Sequence, residues 1–148
     1  MALNAMQREM VRMRGHAPRG VIATPASEGD LFTWRATLTG PPDSFLEGRE
    51  YHLMLFFPPN YPFSGPQMIF VEPLWHPNVA KDGTFCPHRQ HAPSEPLWGI
   101  LLGIMATLLD PDPEDCVCLD AAEMFLTNPG RYWARFLGAP DEDDPSKS

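Results

Sequence analysis

A chain of 148 residues is the size of one domain, and its 43% apolar and 11% aromatic content is enough to bury a core. A formal net charge of −8 and a pI near 4.9 exclude nucleic acid as the main partner, because phosphate binding needs clustered cations. Three cysteines with no signal-peptide pattern before them exclude a secreted disulfide framework and point to a reducing compartment, and the longest apolar run, near Leu97 to Leu109, is too short to span a bilayer.

Leu3, Met6, Met10 and Met13 fall at helical spacing and predict a short first helix that ends near Gly15 and Pro18. Residues 1–20 carry Arg8, Arg12, Arg14 and Arg19 against Glu9 alone, so a basic first element sits on an acidic body and is suited to an acidic partner. A weak strand follows at Val21 to Thr24. Phe32, Trp34, Ala36 and Leu38 alternate with Thr33, Arg35 and Thr37, the period-2 pattern of a half-buried strand, broken by Gly40-Pro41-Pro42-Asp43. Tyr51 to Phe57 and Gln67 to Val71 are two further strand runs, with turn-rich Tyr61-Pro62-Phe63-Ser64-Gly65-Pro66 between them. Short consecutive strands joined by brief turns predict an antiparallel meander.

From Glu72 to Pro96 the chain shows neither helical nor strand periodicity, and a connection of that length in a compact domain usually carries function. It contains His76-Pro77-Asn78 and, eight residues after the asparagine, Cys86. An amide and a thiol in such a segment point to thiol-based acyl chemistry. Beyond it, Leu97, Leu101, Ile104, Met105 and Leu108 share one helical face with Trp98, Leu102 and Leu109 on the flank, a helix apolar enough to be central and buried. Asp110-Pro111-Asp112-Pro113 stops that helix. Leu119, Ala122, Phe125 and Leu126 predict a third helix ended by Asn128-Pro129-Gly130, and Tyr132, Trp133 and Phe136 a short fourth. The order of elements makes this an α+β domain, with residues 1–137 as its core and residues 138–148 as an acidic, flexible tail.

Trp34, Gly40-Pro41, Phe57-Pro58, Tyr61-Pro62-Phe63 with Pro66, His76-Pro77-Asn78 with Gly83 and Cys86, then Leu108-Leu109-Asp110-Pro111 and Asp115, occur in an order and spacing that resembles the ubiquitin-conjugating enzyme family. The resemblance runs from about Met1 to Phe136. It implies an N-terminal helix, a four-stranded antiparallel sheet, then central and C-terminal helices. It also implies a transferase that accepts ubiquitin or a ubiquitin-like protein from an activating enzyme as a thioester on Cys86 and passes it to a lysine or a ligase. By the same resemblance, Asn78 donates to the oxyanion and Asp115 orients and deprotonates the lysine; read from the residues alone, Asn78 supports its loop, Asp115 caps the third helix and His76 holds the turn. Phe63 matches a ligase-facing loop, and Arg8 and Arg12 match the face that meets the activating enzyme. The implied protein is a cytoplasmic monomer, nuclear as well in a eukaryote, with no cofactor or metal.

The segment after the cysteine departs from the family. Trp-Ser-Pro is missing, and His91-Ala92-Pro93 resembles the subgroup with an acidic insertion there, although that insertion is absent. Pro93 and Ser94 would stand in for the second ligase loop. Two other chemistries use the same residues. Cys86, His88, His91, Cys116 and Cys118 are zinc-ligand types without the paired zinc spacings. His88 or His91 beside Cys86 also fits a cysteine hydrolase. A non-catalytic scaffold on the same fold, binding modifier or ligase, is the alternative from a different class.

Overall fold

The computed structural model describes residues 2–86 and 92–138. The described chain runs α1 (Ala2–His16), β1 (Val21–Ser27), β2 (Asp30–Thr39), β3 (Glu50–Phe56), β4 (Gln67–Phe70), α2 (Leu97–Leu109), α3 (Leu119–Thr127) and α4 (Pro129–Phe136). The four strands form one antiparallel sheet in chain order, so the expected meander is the observed topology. The tail assigned to residues 138–148 lies outside the described residues apart from Gly138.

The register explains which strand residues are interior. Ala23 pairs with Ala36, Ala36 with Leu53 and Leu53 with Phe70, giving one row that crosses the whole sheet on a single face. Parallel rows join Val21 to Leu38 and Tyr51, and Trp34 to Leu55 and Met68. All of these side chains are buried and belong to one apolar cluster with α2, because alternate residues of a strand share a face. The two alanines leave room on the sheet for the helices that pack over it. Among the described residues no helix is long and apolar enough to cross a membrane.

Two apolar faces differ from the sequence expectation. On α1 the buried residues are Ala5, Met6 and Glu9 with Met10 and Met13 partly covered, while Leu3 is exposed. On α3 Ala121 and Ala122 are buried, whereas Leu119 and Leu126 face solvent at 75% and 66% exposure. The face that packs on the core is Ala121 and Ala122 with Met124 and Phe125 partly covered, so Ala122 and Phe125 of the expected face do pack while Leu119 and Leu126 fall outside it. Asn128 also does more than end α3. Its side chain accepts from Arg131 N–H with Pro129 at the first helical position, so Asn-Pro-Gly opens α4.

The buried acid of α1 has a long-range task. The first turn of α2 has Pro96 as its N-cap residue, with no side-chain cap. Glu9 Oε2 accepts the Leu97 N–H at 2.9 Å instead, and Oε1 accepts from Arg12 at 3.0 Å. A carboxylate at a helix N-terminus meets an unpaired N–H and the positive end of the helix dipole together. Tyr61 stands beside the same group: burial first, and then the Glu9 charge, hold its phenol well above the ordinary range. Arg12 is therefore half-covered and committed to an intramolecular pair, while Arg8 is exposed. Glu9→Ala leaves a buried helix N–H without an acceptor and is expected to destabilise the fold by about 2–4 kcal/mol. Chemical denaturation of the variant against the wild type measures this, and a change below about 0.5 kcal/mol refutes the capping role.

Candidate active site

Residues 71–86, which follow β4, are held by hydrogen bonds rather than by regular structure. Asp82-Gly83 makes a turn in which Gly83 N–H donates to Ala80 O, Ala80 N–H to Thr84 O, and Thr84 N–H to the Asp82 carboxylate. Val79 and Phe85 face each other as an antiparallel bridge, so residues 79–85 form a small hairpin that the absence of periodicity had hidden. The hairpin hangs on β4: Phe70 N–H donates to Gly83 O at 2.8 Å and Phe85 N–H to Met68 O at 2.9 Å. Gly83 has φ +95°, and a Cβ there would lie 2.6 Å from Phe70 O, so only glycine fits. Cys86 leaves this hairpin with a free, half-buried thiol, and its N–H donates to Asn78 O at 3.1 Å.

Asn78 is fully buried and its side chain is fully used. Nδ2 donates to Asp112 O and to Asp115 O, both at 3.0 Å, and Oδ1 accepts from Asp112 N–H at 2.9 Å. An amide offers two N–H donors, and both are spent on the 112–115 loop. Supporting the loop is thus what this side chain does in the observed geometry, and donation to an oxyanion would require release of one carbonyl. The preceding Pro77 O adds two bonds to the same region, accepting from Val117 N–H at 2.8 Å and Cys118 N–H at 3.1 Å.

Asp115 reaches the site through its backbone. Its carbonyl is held by Asn78, its N–H points at the Asp112 carboxylate at 3.4 Å, and the residue itself is exposed. The cap position of α3 is Cys118, so Asp115 is not the N-cap of that helix. Because Cys86 is tied to the Asn78 carbonyl and Asp115 to the Asn78 amide, one residue sets the backbone positions of both.

His76 is completely buried. Nε2 donates to Thr107 O near the end of α2 at 2.9 Å, and Nδ1 accepts from Asn78 N–H at 3.0 Å, which fixes a neutral tautomer. The rings of Phe136 and Tyr132 lie 6.0 and 6.5 Å from it. Burial outweighs the hydrogen bonds to α2 and lowers its pKa to about 4. It is a structural strut with no nitrogen left for proton transfer.

The other expected site residues lie apart from this cluster. Phe63 is 62% exposed, on the loop closed by Phe63 N–H to Asn60 O. Pro93 and Ser94 are exposed in a turn closed by Glu95 N–H to Ala92 O. His88 and His91 lie outside the described residues, and with them the zinc and hydrolase readings. Sequence reasoning missed three contributors: Thr107, Pro77 O and Asp112. Asp82-Gly83 was a readable turn signal. By contrast, a backbone carbonyl used 40 residues away in the chain leaves no mark in composition.

The family model for ubiquitin-conjugating enzymes matches residues 5–137. The chain therefore belongs to the ubiquitin-conjugating enzyme family, and the helix, four-stranded sheet and three following helices are that family's α+β fold. Members of the family are transferases that work with ubiquitin or ubiquitin-like proteins, activating enzymes and ligases.

A buried neutral histidine makes stability depend on pH. Unfolded, His76 takes up its proton near pH 6.5; folded, only near pH 4, so its contribution is complete above pH 6.5 and is lost as pH falls through that window. The loss approaches about 3 kcal/mol, at roughly 1.4 kcal/mol per pH unit. Unfolding free energies of wild type and His76→Gln measured from pH 7.5 to pH 4 should converge by that amount. Parallel profiles would refute it.

Proposed function

We propose that Cys86 accepts ubiquitin or a ubiquitin-like protein from an activating enzyme as a thioester and passes it to a lysine amine or to a ligase. The observation that carries this reading is the shared anchoring of Cys86 and Asp115 on Asn78, with the thiol half-buried and the carboxylate-bearing residue exposed. In charging, the Cys86 thiolate attacks the incoming thioester and the activating enzyme's thiolate leaves. In discharge, a neutral amine attacks the thioester carbon, the C–N bond forms, the C–S bond breaks, Cys86 leaves as thiolate, and the extra proton on the new amide nitrogen passes to solvent or to the departing sulfur. A lysine ammonium near pKa 10.4 must first lose a proton, and Asp115 is the exposed carboxylate held on the same anchor to orient it and take that proton.

Asn78 acts in this scheme through the loop. Its amide holds the carbonyls of residues 112 and 115, so loss of the side chain releases Asp115 while the hairpin that presents Cys86 keeps its bonds to β4. Phe63, with Pro93 and Ser94, belongs in this reading to ligase docking, and the exposed Arg8 side of α1 to the activating enzyme; an exposed aromatic beside a proline suits a rigid contact. Neutral His76 serves as a support for the turn.

Incubation with an activating enzyme, ATP and a panel of modifiers is expected to give an adduct cleaved by thiol reductant and absent in Cys86→Ala. An adduct that survives this substitution rejects the assignment. In single-turnover discharge to free lysine, Asp115→Ala should slow the reaction at pH 7 by about 10²-fold, with most of the defect recovered toward pH 10 as the amine deprotonates itself. Asn78→Ala should slow discharge more than charging. Equal slowing of both steps would show that the thiol's own loop had collapsed.

A further inference from the structure

A groove of about 480 Å³ opens between the Cys86 hairpin and the outer faces of α3 and α4. Lys81, Arg131 and Arg135 line it against Asp120 and Glu123, a local excess of positive charge on a chain of net charge −8. Trp75 lines it too, with the Arg135 guanidinium 3.7 Å from the centre of its ring. Among the described residues the Trp75 indole N–H is buried without a hydrogen-bond partner.

The chain carries acceptors close by. After α4, Gly138 has φ +87° with its N–H on Arg135 O at 3.1 Å, so the described chain ends three residues beyond the groove's Arg135. Residues 139–148 lie outside the described residues and contain Asp141, Glu142, Asp143 and Asp144 in succession. At about 3.3–3.6 Å per residue, Asp141 stands within roughly 11 Å of Gly138. We infer that this acidic segment docks into the groove of its own chain, its carboxylates pairing with Lys81 and Arg135 beside the Trp75 ring. A tethered segment has an effective concentration in the millimolar range, so weak individual pairs are enough for occupancy. The contact is electrostatic and salt-sensitive, and it lies on the hairpin that presents Cys86.

The test compares the full chain with a full-length variant in which residues 141–144 are neutralised (D141N, E142Q, D143N, D144N), by ¹⁵N–¹H spectra at low salt. The Trp75 indole N–H and the amides of Lys81 and Arg131 are expected to shift between the two. Salt at about 0.5 M, where the Debye length falls to a few ångströms, should move the wild-type signals onto those of the variant. Lys81→Glu, at an exposed site, should do the same without salt. Spectra that differ only in the tail resonances overturn the inference. So do shifts that grow with protein concentration, which would mean that a second copy supplies the tail, and shifts that persist unchanged in the Lys81→Glu background.

Discussion

The side-chain amide of Asn78 is the constraint on which the candidate site depends. Three hydrogen bonds from one buried side chain reach across to residues 112 and 115, while its main chain holds His76 on one side and Cys86 on the other. An amide suits this place because it offers donors and acceptors together. A carboxylate would set negative charge against two carbonyl oxygens, and an aliphatic side chain would leave all three backbone groups without this partner. Irregular backbone can be packed inside a protein only when its polar groups find such partners. The turn at residues 76–78 is therefore tied down by hydrogen bonds without being a strand, and the Asn78 carbonyl holds the backbone of a thiol-bearing residue eight positions later.

A second buried polar group does comparable work on the other side of the molecule. Glu9 joins α1 to the start of α2 and stands beside Tyr61, at the root of the loop that carries Phe63. The turn at residues 92–95 runs directly into the same helix start. Both exposed loops proposed for ligase contact thus adjoin one carboxylate. A buried charge is tolerated there because an N–H, a helix dipole and the Arg12 guanidinium all face it. The α1 face that presents Arg8 is part of the same unit, so displacement of α1 would be felt at both loops.

Regular structure was legible where periodicity decides it. The alternation Trp34, Ala36, Leu38 reads directly as an inward face, and the register carries it across the sheet. What periodicity cannot fix is how much of an apolar helix face the core covers, which is why Leu119 and Leu126 read as buried and are not. Nor can it see a polar residue on an apolar stripe whose partner is 88 residues away, as Glu9 is from Leu97. The site was legible at the level of residue types: His76, Asn78, Cys86 and Asp115 stood out in their order. How they connect was not, because Asn78 meets Asp115 through a carbonyl, and every residue has one. The hairpin at 79–85 lay between these cases, too short for alternation to register but marked by Asp82-Gly83.

The division of labour among these residues follows from burial. His76 and Asn78 are inaccessible and their polar atoms are spent on backbone, so they are poorly placed to exchange protons with a reacting group. Cys86 and Asp115 are the members left accessible, one half-buried and one exposed, and both are held by backbone atoms alone. Fixing a reactive residue by its main chain leaves its side chain free to be reached, which a side-chain hydrogen bond would not. That arrangement suits a reaction whose partners are other proteins. In the proposed reaction a modifier's C-terminus and a lysine would both approach the thiol from outside, and such a site gains precision from a frame beneath it rather than from walls around it.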